Sequence, residues 1–296
     1  MLTKSKIASP LSRKAVLLSV NVSQWEGRKL DRKVTKETNE RYHASDDAGR
    51  FNKLLLEKHR LEEMRSVVSR ARDLFNTYTK PWSKGTGILP NKLYNEFADK
   101  FRVLKREFND VADRFCAEYP MYVEERRAKL NGMFNESDYP SADLIRSKFK
   151  MDMRTMPVPD INDFRSDVLD ADTIEDIKRE MAESSDNILT DAMKDSVDQM
   201  KELIGHMATK LKTYGTSADG KRNFFQSTLV ENVRDLAKLL PAFNLTDDPA
   251  FDAVVNRIER ELCVEEYETL RDNEAARESV AKSADDILKD VEALLG

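Results

Sequence analysis

The sequence predicts a mainly α protein: long antiparallel helices with coiled-coil-like seams, plus a small two-stranded antiparallel sheet (about 16–25 with 147–155). Three observations predict it. Apolar residues recur three and four apart in four stretches. The longest is Ile174, Ile177, Met181, Ile188, Val197, Met200, Ile204, Met207, Leu211 and Tyr214. At about 1.5 Å of rise per residue, that rhythm keeps one helix seam facing a partner for roughly 60 Å. The protein is 35% charged, well above the usual share of about a quarter, as long solvated helices require. Nine Gly and nine Pro in 296 residues leave few turns, so the elements between them must be long.

The N-terminus is expected to be a flexible tail over 1–12. Residues 16–25 read VLLSVNVSQW, in which Leu18, Val20 and Val22 alternate with polar residues, the period of a half-buried strand. A second such run, Phe149, Met151 and Met153 against Lys150, Asp152 and Arg154, is expected to pair with the first, since two lone strands are marginal in isolation. Between them two long helices are predicted. One covers 48–79, with Phe51, Leu54, Leu55, Leu61, Met64, Val68, Ala71 and Phe75 on one stripe. It ends at Pro81, where 81–87 is expected to be a loop. The next starts near Pro90 with Leu93, Phe97, Phe101, Leu104, Phe108, Val111 and Phe115, and is kinked or ended at Pro120 before Tyr122–Leu130 resumes. Residues 131–147 are irregular, and Met156–Asp160 is a stiff connector.

Beyond an internal boundary near 160–170, helices are expected over 172–214, 224–240, from Pro249 onward, and 273–295. A Gly/Ser/Asp loop over 215–221 separates the first two. Leu240-Pro241 signals a stop, and Asp248 before Pro249 is a capping pair. The organisation expected is a tail (1–12), a region of strand, helical hairpin and return strand (13–165), and a C-terminal helical region (166–296).

Composition narrows the function classes. No apolar run approaches the ~20 residues that span a bilayer, and Ala15–Leu18 is too short for a signal sequence, so no membrane partner is expected. Cys116 and Cys263 stand in apolar helical contexts and are expected to be small buried hydrophobes, which fits a reducing compartment and a cytoplasmic location. His43, His59 and His206 have no metal-ligand spacing. Ser83-Lys84-Gly85-Thr86-Gly87 lacks the order of a phosphate loop, and there is no G-x-S-x-G. Asp46-Asp47, Glu124-Glu125 and Asp247-Asp248 suit caps and solvated faces better than a two-metal site. No catalytic residue, cofactor or metal is expected.

Two patches stand out. The first, Trp25 to Lys36, combines Trp25 beside Gly27 with Arg28, Lys29, Arg32, Lys33 and Lys36, a stacking surface with phosphate-attracting charge. Eleven Lys/Arg against six Asp/Glu in residues 1–50 of a protein of net charge -5 point the same way. The alternative is a core Trp25 with cations on a wet helix face. The second patch, around Met133, Phe134, Asn135 and Tyr139, has the composition of a protein-contact loop; its alternative is aromatics that plug the helix pair.

Val22–Thr35, Asp47–Leu55, Leu130–Pro140, Pro157–Asp160 and Phe225–Leu240 together resemble uncharacterised phage and mobile-element proteins over roughly 16–290. The resemblance implies a bacterial host cell and a genomic neighbourhood of MoxR/CobS-type AAA+ ATPases, von Willebrand A-type partners or recombination genes. It carries over no catalytic residue. The expected function is a non-enzymatic adaptor or scaffold engaging a protein such as an AAA+ ATPase. The alternative is a DNA-binding accessory protein in replication or recombination that uses the basic segment. A metal-dependent enzyme ranks third, and a face for a second copy of the protein stays open.

Overall fold

Leu11–Lys14 forms one helical turn (α1) that runs into β1, Ala15–Ser23, whose Ala15, Leu17 and Leu18 are buried. Gly27 then turns the backbone at φ +63 into β2, Arg28–Leu30. The left-handed backbone is what favours glycine there; a Cβ would meet Leu61 Cδ1 at 3.4 Å, an ordinary contact. Asp31 caps α2 (Arg32–Arg41) by accepting from the Val34 amide. β3, Asn52–Leu54, precedes α3 (Glu62–Tyr78), β4 (Lys80–Ser83) and β5 (Thr86–Pro90). The long α4, Tyr94–Leu130, is followed by α5 (Ala142–Lys148) and β6 (Lys150–Pro157). Asp170 caps α6, Ala171–Lys212. Then come α7 (Thr228–Phe243), α8 (Pro249–Glu261), α9 (Tyr267–Asp272) and α10 (Glu274–Ala293). These elements are seen in a computed structural model that describes residues 11–160, 164–215 and 223–294. The tail expected over 1–12 lies outside the described residues as far as Pro10, as does the expected 215–221 loop beyond Gly215.

The protein is mainly helical, with one antiparallel sheet of four strands and another of two. The larger has the order β4-β5-β1-β6, so the two alternating runs seen in the sequence are neighbours. The expectation of two strands is corrected to four. Residues 81–87 are not a free loop but most of a β4–β5 hairpin, turned at Gly85 with φ +77. Pro81 had argued against a strand. It is tolerated because β4 is the sheet edge and its register shifts between Pro81 and Ser83, the places in a sheet that accept proline. β5 pairs with β1 from Ala15 opposite Pro90 to Leu18 opposite Gly87.

The helix expected over 48–79 starts only at Glu62, after a 3-10 turn at Lys58–Leu61. Its first third contains β3, paired with β2 and flanked by Leu55 N donating to Gly27 O and Asp31 N to Phe51 O. An apolar stripe of a few residues fits either period, and here the pairing decides. Neither proline ends its helix, although the sequence predicts a kink or an end at Pro120 and a stop at Pro241. Pro120 lies inside α4, where buried Phe115, Tyr119 and Tyr122 hold both sides of it, and Pro241 lies inside α7. Asp248 caps α8 as its sequence predicts.

The protein divides into two compact units. The first contains Leu11–Leu18, Tyr78–Asn95 and the described residues from Thr155 onward; the second contains Ser19–Thr77 and Glu96–Arg154. In the first, the α6 seam from Leu189 to Leu211 packs on α10 (Val280, Ala284, Ile287, Val291), on α7 and on β4. Burying each such aliphatic side chain contributes about 1.5–3 kcal/mol, so this seam is a large part of the unit's stability. It packs chiefly on α10, with α7 and β4 beside it, and Ile174, Ile177 and Met181 at its start are only half-buried. Lys80 is fixed inside this unit. It is 1% exposed, 2.9 Å from Asp195 Oδ2 and 2.7 Å from Gln199 Oε1, with its ammonium 4.6 Å from the Phe243 ring centre.

The second unit is built on aromatics. Trp25 meets Phe115 and Tyr119 edge-on at 6.4 and 5.7 Å, and Phe149 closes on Phe115 at 5.6 Å. The two cysteines, expected to be buried, are both half-buried, and burial pushes each thiol up. His43, His59 and His206 are all exposed.

Candidate partner-binding surface

The second unit brings the two sequence patches together. In the β2–β3 register Lys29 lies opposite Lys53, so both side groups leave the same face of the ribbon. Two like charges directly opposite are unfavourable alone. Here Asp138, from the second patch, lies between them: Lys29 Nζ is 2.8 Å from Oδ1 and Lys53 Nζ is 2.5 Å from Oδ2. Lys53, 5% exposed, also reaches Asp31 Oδ2 at 3.0 Å and donates to Met133 O at 3.0 Å. Its three protons therefore have three acceptors, and the four charges of Lys29, Lys53, Asp31 and Asp138 cancel. Segments 109 residues apart are locked into one surface by this network.

The charges hold each other in the ionised state. Burial alone would raise the Asp138 carboxyl, but hydrogen bonds from Lys29 and Lys53 outweigh it and hold it below 3.8. The Val34 amide, then Lys53, hold Asp31 low. Burial pulls Lys53 down, yet Asp138 and Asp31 more than offset that and leave it above 10.5. Both carboxyls bind protons more weakly folded than unfolded. The stability they contribute is therefore full above 3.8 and lost as pH falls through their lower folded values. An acid titration followed by Trp25 emission in a Trp82→Phe background should show an unfolding limb below that pH, and Asp138→Asn should flatten it.

The outer face of the ribbon points the other way. Arg28, Leu30, Asn52 and Leu54 are all exposed, Leu30 and Leu54 to 38% and 39%. A cleft of about 300 Å³ adjoins it, lined by Glu26, Gly27, Arg28, Leu54, Leu56 and Arg65 among others. On the loop side Met133 is 37% exposed. Phe134 stacks on Tyr139 at 5.0 Å and carries the Arg127 guanidinium at 4.3 Å. Asn135 Oδ1 accepts from Ser137 N and Oγ, which pins the turn. The hydroxyl of Tyr119 is buried with no hydrogen-bond partner among the described residues.

The expected cations are placed as follows. Trp25 is 8% exposed and its ring is spent on Phe115 and Tyr119, so nothing can stack on it without opening that cluster. Arg28 pairs with Glu26 at 3.1 Å, Lys33 with Glu37 at 3.9 Å and Lys36 with Glu40 at 3.6 Å. Arg32 is exposed on α2, with no carboxylate in ion-pair reach among the described residues. The residues that sequence reasoning missed are Asp31, Lys53 and Asp138. No local signal marks them, because their roles exist only through the three-residue strands and the distant loop.

Among the described residues no cluster of His, Cys, Asp and Glu could hold a metal, and no helix is long and apolar enough to cross a membrane. A family model described as a protein of unknown function (DUF3150) matches residues 13–266. No curated protein and no solved structure matches the sequence.

Proposed function

The protein belongs to the DUF3150 family of proteins of unknown function, and we propose that it is a non-enzymatic adaptor or scaffold of phage or mobile-element origin. In this reading it works in the cytoplasm of a bacterial host cell by binding a protein partner such as an AAA+ ATPase. The observation that carries it is the joining of the two patches by the Lys29–Asp138–Lys53 network into one fixed surface. The outer face of the ribbon presents Leu30, Leu54 and Arg28 beside a cleft, and the loop held on its other side presents Met133, the mixture of apolar anchors and arginine found at protein interfaces. A preformed surface of this kind loses little entropy on binding.

A second reading, a DNA-binding accessory protein, rests on Arg32, Lys33 and Lys36, which stand exposed on α2. Carboxylates already near Lys33 and Lys36 leave fewer counterions for them to release on a phosphate backbone. Titration of fluorescent single- and double-stranded DNA at low and at moderate salt separates the two. The adaptor reading expects no saturable binding at low salt. Tight binding that weakens steeply with salt and is lost in the Arg32→Glu plus Lys33→Glu protein would establish the second reading instead.

A further inference from the structure

Asn131-Gly132 is the only Asn-Gly pair in the sequence. It stands where α4 ends and a 3-10 turn, Asn131–Met133, begins. Both residues are exposed, and Asn131 is one of three non-glycine residues with positive φ among the described residues, at +45. A Cβ added to Gly132 would meet nothing within 4 Å, so the turn is open on that side. Glycine also gives that nitrogen the widest backbone freedom to approach the preceding side group.

We propose that Asn131 is a site of spontaneous deamidation, and that its isoaspartyl product loosens the Met133–Tyr139 loop. The Gly132 amide nitrogen attacks Cγ of Asn131 and forms a ring bond to it. The bond from Cγ to Nδ2 breaks, and Nδ2 leaves as ammonia with the proton lost by Gly132. Water then opens the succinimide at one of its two carbonyls, giving aspartate or isoaspartate and a new negative charge. The isoaspartyl link routes the backbone through an extra methylene. Two bonds depend on the present path: Phe134 N donates to Asn131 O at 2.9 Å, and Met133 O accepts from buried Lys53 at 3.0 Å. Isoaspartate shifts both. Asn135 lies in the same tryptic peptide, Leu130–Arg146, but precedes Glu136, and its Oδ1 is held by Ser137. It serves as an internal control.

The full-length protein, incubated at mildly alkaline pH and physiological temperature, is digested and the peptide Leu130–Arg146 is followed by mass spectrometry with fragmentation that separates the two products. A parallel sample is unfolded in urea, and Gly132→Ala and Asn131→Asp proteins are run beside it. Asn131 should convert before any other asparagine, and its rate in the folded protein should be similar to that in urea. Gly132→Ala should slow it manyfold, and amide exchange at Phe134 should quicken in the isoaspartyl form but not in Asn131→Asp. An Asn131 that reacts only in urea, or later than Asn135, overturns the site. Unchanged Phe134 exchange in the isoaspartyl form overturns its effect on the loop.

Discussion

Lys53→Met should lower the stability of the second unit by about 3 kcal/mol, the lower end of what is lost when one partner of a buried ion pair is removed. Methionine keeps the buried stem of Lys53, 5% exposed, but leaves Asp31 and Asp138 facing each other with only Lys29 nearby, itself half in solvent. Met133 O loses its donor as well. Denaturant unfolding in a Trp82→Phe background leaves Trp25 as the only tryptophan to report, and the midpoint should fall. The acid limb should move to higher pH, since the carboxyls lose the cation that holds them low. Adding Asp138→Asn should restore part of the loss. A midpoint equal to the parent's would mean that the network does not lock the surface.

Asp195→Ala should destabilise the first unit by about 3–5 kcal/mol at neutral pH, and Lys80→Met by clearly less. The asymmetry follows from exposure: Lys80 is 1% exposed, whereas Asp195 keeps 36% of its side-group surface in water. A carboxylate that loses its lysine can turn to solvent; a lysine that loses its carboxylate cannot. Gln199 Oε1 and the Phe243 ring would then be its remaining partners. Burial, partly opposed by the hydrogen bond to Asp195, already holds the Lys80 ammonium below 10.5. Since the folded protein releases this proton more readily than the unfolded one, stability from this group rises as pH climbs through the folded value toward 10.5. In Asp195→Ala that rise should begin at lower pH. Equal losses for the two substitutions would place the cost in packing rather than in charge.

The long elements were legible because their periods repeat. The α6 seam, the α4 aromatics and the Asp248-Pro249 cap each restate one pattern over several turns or use a residue with a single good role. The juxtaposition of β1 and β6 followed from two alternating runs with no other partners in view. The β4–β5 hairpin did not follow, because Pro81 and the Gly-rich turn carry loop chemistry and only the sheet edge makes them a strand. β2 and β3 are three residues each, too short to show any period, and their loss cost the sequence reading its view of Lys53. The exposed members of the two patches were visible as composition. The buried charges that join them were not, since Lys53 read as one more cation on a helix and Asp138 as one more loop acid.

The most direct test of an adaptor built on this surface is calorimetric titration of the purified protein into a MoxR-type AAA+ ATPase from the same genome. The parent protein should bind saturably. Leu30→Glu plus Met133→Glu, which changes only exposed positions on the two joined patches, should abolish the heat, while Arg32→Glu plus Lys33→Glu should leave it unchanged. Absence of binding by the parent, or binding that the Leu30→Glu plus Met133→Glu protein retains in full, would contradict the account.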